Sequence, residues 1–216
     1  MLTLQTSAGN TPSRKRYTVA VARNASEVEE AQRLRYQVFM EEMGARAGAA
    51  GGRELDIDEY DADCDHLIVR DQESLQVVGC YRIMRPETAA RRGTFYSDSE
   101  FDLSRLHHLR SRTAEVGRAC IHPDFRTGSV IMLLWSGLAR LVVESGYEYA
   151  IGCASVNLSD GHANAVAVYR ETAAKCLAPV EYRVFPRHAY PMRELRPVES
   201  LLAPKIPPLL KGYVRL

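Results

Sequence analysis

Glu115 and Arg118 stand three residues apart in "TAEVGRACIHP", a stretch whose Val, Ala, Cys and Ile otherwise read as a buried strand. Upstream, "DIDEYDADCD" crowds acids into a short run that includes Asp58, Asp61 and Asp63, "LRYQVF" carries Arg35 and Phe39, and "CYRIMRP" carries Arg82. Such groups, gathered in a dry place, suit proton transfer and the binding of a charged substrate. A carboxylate such as Glu115 can take a proton from an attacking nucleophile, directly or through water. A strand amide near Ala119 or Cys120 can serve a developing oxyanion. Arg82 or Arg118 offers a fork to a carboxylate, and Asp58, Asp61 or Asp63 can meet a cationic group. The same charges also make a purely structural ion-pair network that pins the acidic loop, and both readings stand at this point. On a regular strand, residues three apart start on opposite faces. A bulge in this strand is the device expected to re-aim one of the pair.

The elements that must position these groups follow from pattern. "RYTVAVARN" alternates as a first strand, and "NASEVEEAQRLRYQVFMEEMG" is a helix capped by Ser26 and stopped at Gly44, with Val28, Ala31, Leu34, Val38 and Phe39 on one face. The segment from "ARAGAAGG" through the acids is a loop. "HLIVRD" and "LQVVGCYRIMRP" form a hairpin, and 87–112 gives a short helix and an irregular basic segment. After the strand at 113 comes "TGSVIMLLWSGLARLVVESG", a helix apolar nearly all round and so expected to be buried against a sheet. "YEYAIGCASVNL" is a strand, "GHANAVAVYRETAAKC" a helix, and "VEYRVFP" and "LKGYVRL" are late strands. The order β-α-β-β-β-α-β-α-β-β predicts a mixed α/β sheet flanked by helices. Residues 1–16 are expected to be a disordered lead-in and 17–216 a single domain.

Composition bounds the function classes. The net charge of +1 gives no global field for nucleic acid, and no stretch is long and apolar enough to span a membrane. Four lysines face 24 arginines, a choice that suits bidentate binding of carboxylate or phosphate as well as it suits a biased genome. The five cysteines lack CxxC spacing and read as reduced core residues of a cytoplasmic protein, with no zinc site. "HLIVRD" fits the H-x-x-x-x-D pattern of glycerophosphate acyltransferases, but a strand points His66 and Asp71 to opposite faces. "RLHHLRSR" holds two histidines for a metal, a solvated face, or a basic patch for an acidic protein.

The element order around the two long helices resembles the GNAT acyltransferase fold. "LRYQVFMEE", "DIDEYDADCDHL", "GCYRIMRP" and "EVGRACIHP", in that order, resemble the acyl-homoserine-lactone synthases and, more closely, the ornithine Nα-acyltransferases of ornithine-lipid synthesis. "HPDFRTG" and "PPLLKGYVRL" favour the second group, and the tryptophan that lactone synthases carry after the phenylalanine has no counterpart in "MEEMGA". Members of that group usually continue past a segment like "KGYVRL", where this chain stops. The resemblance implies transfer of a fatty acyl chain, 3-hydroxylated in that group, from acyl carrier protein to the α-amine of ornithine, giving lyso-ornithine lipid. It implies Glu115, Arg118 and Tyr169 as catalytic residues and Arg35, Phe39, Asp58, Asp61 and Arg82 as substrate-binding ones. Tyr169 falls where GNAT enzymes place the thiolate's proton donor, though it also reads as a packed helix aromatic. Arg105, Arg110, Arg112 and Arg126 are the expected docking residues for the acidic carrier protein. No cofactor or metal is implied as bound; the phosphopantetheine arm arrives on the carrier protein. The loop "RTGSVI" lacks the paired glycines that cradle an acyl-CoA pyrophosphate. Peripheral contact with the inner face of the membrane is compatible with such a product. Another acceptor amino acid, a lactone synthase, or a non-catalytic module that binds carrier protein or lipid are the competing readings.

Overall fold

The computed structural model describes residues 16–45, 52–158, 162–191 and 204–214. Of the lead-in expected over 1–16, all but Arg16 lies outside the described residues. The central sheet has five strands in the order β1 (Tyr17–Val21), β2 (Asp65–Asp71), β3 (Val77–Met84), β5 (Thr113–Ile121) and β6 (Tyr149–Ile151). The first three pairings are antiparallel and β5–β6 is parallel, so the sheet is mixed as the element order predicts. β4 (Phe101–Asp102) and β7 (Phe185–Pro186) form a separate two-residue ribbon.

α1 (Ala25–Tyr36) covers one face of the sheet. Its cap is Asn24, not Ser26: the Asn24 side chain accepts from the Glu27 amide at 3.0 Å, one turn into the helix. Ala31, Leu34 and Val38 pack with Ile68, Cys80 and Cys120 beneath. The helix continues as a π-helical turn, Gln37–Glu42, in which the Met43 amide reaches back to the Val38 carbonyl at 3.1 Å. Gly44 ends it in the left-handed region at φ 68°.

Two short helices follow β3, α2 (Pro86–Arg92) and α3 (Ser97–Glu100), and α4 (Ser129–Glu144) packs on the sheet face opposite α1, over Leu67, Val69, Tyr81 and Ile83. Two glycines let it close down: a Cβ on Gly79 would come within 2.6 Å of Val130, and one on Gly137 within 2.8 Å of Val19. α4 is buried against the sheet as expected, but along one side only. Only Val130 and Leu134 are buried on it, while Met132 and Val143 are 60% and 76% exposed. Apolar composition says that a helix can be buried, and only the arrangement of neighbours says how much of it is.

The later part of the chain departs further from its pattern. α5 (Ala163–Cys176) lies where expected. The strand expected over 147–158 is three residues long. "VEYRVFP" supplies a 3₁₀ turn (Val180–Tyr182) and the two residues of β7. "LKGYVRL" is not a strand: Pro208–Tyr213 is helix α6, with Pro208 at its first position and Gly212 against the Trp135 ring with no room for a Cβ. Alternation over so few residues carries no weight against the contact that the segment makes.

Candidate functional site

The site lies on the α1 face of the sheet. Arg82 on β3 stands opposite Gly117 on β5, and Met84 stands opposite Glu115. The register then slips: Cys80 pairs with Cys120, so Arg118 and Ala119 together oppose Tyr81. This is the expected bulge. Arg118 sits in it at φ 50°, a left-handed conformation that costs a non-glycine residue energy and that turns its side chain. Glu115, Arg118 and Cys120 therefore all reach the α1 face, which strict alternation forbids.

The acidic loop closes over this face and supplies the anions. Arg35, 1% exposed, donates from Nε to Asp56 at 2.7 Å and from both terminal nitrogens to Asp61 at 2.9 and 2.7 Å. It also reaches the Asp56 carbonyl. Arg82 donates to Asp61 at 2.8 Å and to Asp58. Gln32 donates to Asp61 at 3.0 Å, and the backbone ties the loop to the helix through the Asp56 amide and the Gln32 carbonyl at 3.1 Å. Arg118 pairs with the remaining oxygen of Asp56, and its guanidinium lies 4.8 Å from the centre of the Phe39 ring. The Arg118 Nε is buried with no hydrogen-bond partner among the described residues.

These charges set one another's protonation. Burial pushes the Asp61 carboxyl up, but the hydrogen bonds and charges of Arg35 and Arg82 outweigh it and hold the group at about 2. Burial works against the Arg35 cation, and Asp61 and Asp56 more than restore it, so its proton is held above the ordinary value. His66 faces the cluster from β2 with Nε2 3.0 Å from the Asp61 carbonyl oxygen, so Nε2 is the donor. Burial keeps this imidazole below its ordinary value, hence neutral. Asp71, its partner in the H-x-x-x-x-D pattern, instead accepts from Ser74 in the β2–β3 turn. Cys64, beside the same charges, has its thiol pushed by burial to about 12, which disqualifies it as an acyl-accepting nucleophile.

Glu115 stands apart from this network. Its carboxylate accepts from the Tyr96 amide at 2.7 Å, the Ser97 amide at 2.7 Å and the Ser97 hydroxyl at 2.5 Å. Three of the roughly four lone-pair directions of a carboxylate are thus used, and the group is fixed rather than paired with Arg118. The structure brings Arg35, Phe39, Asp58, Asp61, Arg82 and Arg118 together as expected. It adds Asp56 and Gln32, which the sequence reading passed over, and His66, which that reading weighed only in the H-x-x-x-x-D pattern. Asp56 was in view, in the same acidic run, and only the fold distinguishes it from Asp63, which pairs outside the cluster with Arg92. Tyr169 is 55% exposed on α5, so it is not a core aromatic.

The four expected docking arginines are each engaged within the chain. Arg110 forms a two-pronged pair with Asp98 at 2.9 and 2.7 Å. Arg112 meets Glu148 at 2.6 Å, Arg126 grips Glu42 through two bonds of 2.6 Å, and Arg105 donates to the Val180 carbonyl. Three lie on the 3₁₀ segment Ser104–Arg112, and Arg126 lies before α4. They are two separate sets of internal ties.

Residues 34–136, which carry the cluster and the bulge, match the family model for the acetyltransferase (GNAT) domain. Fold and match together make the chain a GNAT acyltransferase-class protein. It is 41% identical over 209 residues to the L-ornithine Nα-acyltransferase of Agrobacterium fabrum, spanning 91% of this chain and 71% of that one. The protein of the same name from Rhizobium meliloti is 39% identical (91% and 70% covered), and that of Brucella abortus 35% identical (92% and 75%). The chain belongs to the L-ornithine Nα-acyltransferase family. Among solved structures it is similar to the AHL synthase LasI at 21% identity and TM-score 0.46, over 63% of this chain and 71% of that one.

Proposed function

We propose that this chain transfers a fatty acyl group from the thioester of acyl carrier protein to the α-amine of L-ornithine, giving lyso-ornithine lipid. Membership of the ornithine acyltransferase family, at 41% identity across 91% of the chain, carries the reading. The site is chemically suited to it. Arg118 has a buried Nε without an acceptor among the described residues, beside a partly exposed guanidinium, and is the fork for the acceptor's carboxylate. Asp58, the least buried carboxylate bound to Arg82, faces the acceptor's cationic end. Glu115 takes the amine's proton through its remaining lone pair, and its three donors hold it in place for that. The strand amides at the bulge, beside Arg118 and Ala119, are released from regular pairing and are the donors for the oxyanion. Tyr169 is the candidate proton donor to the departing thiolate, for which its exposure is compatible.

The carrier protein as donor rests on the "RTGSVI" loop, in which Gly128 alone approaches the start of α4 and Arg126 is occupied by Glu42. Purified chain supplied with acyl carrier protein thioesters should form N-acyl-ornithine, read by mass spectrometry, and ornithine should outcompete leucine and tyrosine. Acylation of leucine or tyrosine as readily as ornithine would replace this reading with that of a general N-acyl amino acid synthase.

A further inference from the structure

Next to Glu115, on the same face of the sheet, the fold leaves a cavity of about 300 Å³. Its wall is made by Phe95, Leu103, Leu106 and Leu109, by Ile151 of β6 and by Tyr182. Two of the polar side chains in the lining, Thr113 and Arg110, spend their hydrogen-bonding groups elsewhere. The Thr113 hydroxyl donates to the Leu109 carbonyl at 2.8 Å. Arg110 spends two nitrogens on Asp98 and lies 4.6 Å from the centre of the Phe95 ring. A cavity of this size and lining takes an apolar ligand.

Its position says which one. Thr113 and Glu115 are two apart on β5 and share a face, about 7 Å along the strand. Ile151 is the direct partner of Glu115 on β6. Phe95 immediately precedes the Tyr96 and Ser97 amides that hold the Glu115 carboxylate. A thioester carbonyl seated at the bulge, near Gly117–Ala119, thus has the cavity on the far side of Glu115, along the strand. We infer that this cavity houses the hydrocarbon tail of the acyl donor, and that Leu106, half-buried in its wall, limits the chain length accepted. The inference rests on the acyl-transfer reading above and names the part of the substrate that reading leaves unplaced.

The test changes one wall residue in two directions. Each methylene shut out of an apolar site costs about fourfold in specificity. Leu106→Trp should lower the ratio of kcat/KM for sixteen-carbon over six-carbon acyl carrier protein thioesters at least tenfold. Leu106→Ala should raise the ratio for eighteen-carbon over fourteen-carbon donors. Circular dichroism establishes folding, and if the Trp variant does not fold, the Ala variant alone decides. An unchanged chain-length profile in a folded variant would overturn the inference while leaving the acyl-transfer reading intact. A wild-type chain that acylates nothing would defeat that reading instead. In that case a fluorescent fatty acid decides the cavity separately: binding at least tenfold weaker in Leu106→Trp supports it, and equal binding overturns it.

Discussion

Two populations of arginine–carboxylate pairs share this fold and differ in where water is. Under α1, Arg35 and Arg82 share Asp61 with exposures of a few per cent, and Arg118 joins through Asp56. On the outside, Arg112–Glu148, Arg126–Glu42 and Arg140–Glu144 have geometry as good, at 2.6 to 2.7 Å, but each partner is largely open to solvent. Distance alone does not separate the two sets. In water, a broken pair is replaced by hydration and the cost is small. In the dry interior, removing one partner strands the others, and the cost is the desolvation of what remains. The buried set can therefore hold a loop and a substrate in one geometry, while the outer set only trims the surface.

The comparison can be broken or sharpened by experiment. The largest effect is expected at Glu115, a buried carboxylate outside both sets. Glu115→Gln should lower kcat by ~10²–10⁴-fold, as loss of a general base does, and should cost ~1–3 kcal/mol of stability because its NH₂ group must face one of the donors on Tyr96 or Ser97. A variant that melts early yet keeps kcat while folded would reduce Glu115 to a tie on the 96–97 turn. Next is Asp61→Ala, which leaves Arg35 and Arg82 without their shared carboxylate and should cost ~3–5 kcal/mol in urea unfolding. A loss under 1 kcal/mol would erase the distinction between the inner and outer pairs.

Acid is a gentler probe of the same residue. Asp61 titrates at about 2 in the folded chain against an ordinary value of 3.8. A depressed carboxyl contributes stability that is fully present above the ordinary value and is lost as pH falls through the folded one. Its share, about 2 kcal/mol, should disappear between roughly pH 4 and 2, and Asp61→Asn should flatten that limb of the stability curve. The smallest effects belong to the outer set. Arg126→Ala should change stability by no more than ~1 kcal/mol, less in high salt, and Arg112→Ala should leave the melting temperature unmoved. A larger drop in the KM-based affinity for carrier protein than in stability would show that either arginine, despite its internal partner, also meets the donor.

The first two-thirds of the chain is legible because its signals are long or local. The hairpin of β2 and β3, the amphipathic α1 and the apolar run of α4 each repeat over enough residues to choose one period, and the acidic run names itself. The terminal segments fail for the opposite reason. "LKGYVRL" and "VEYRVFP" are too short for period to decide, and Pro208 and the contact of Gly212 with Trp135 decide instead. Ser26 and Asn24 are both good caps, and only the backbone turn chooses Asn24.

The sequence by itself determined the types: an excess of arginine over lysine, carboxylates enough to neutralise them, and a strand that breaks its own alternation at Glu115 and Arg118. Those are covalent facts, and with the four motifs in order they carry the resemblance that implies the class of chemistry. Tertiary structure decided the partners. Which acid meets Arg118, whether Glu115 faces a cation or the amides of Tyr96 and Ser97, and whether an arginine is buried or wet all depend on groups far apart in the chain. A one-residue bulge at Tyr81 and Arg118 settles the first of these, because it puts Arg118 and Cys120 on the same face of the sheet as Glu115.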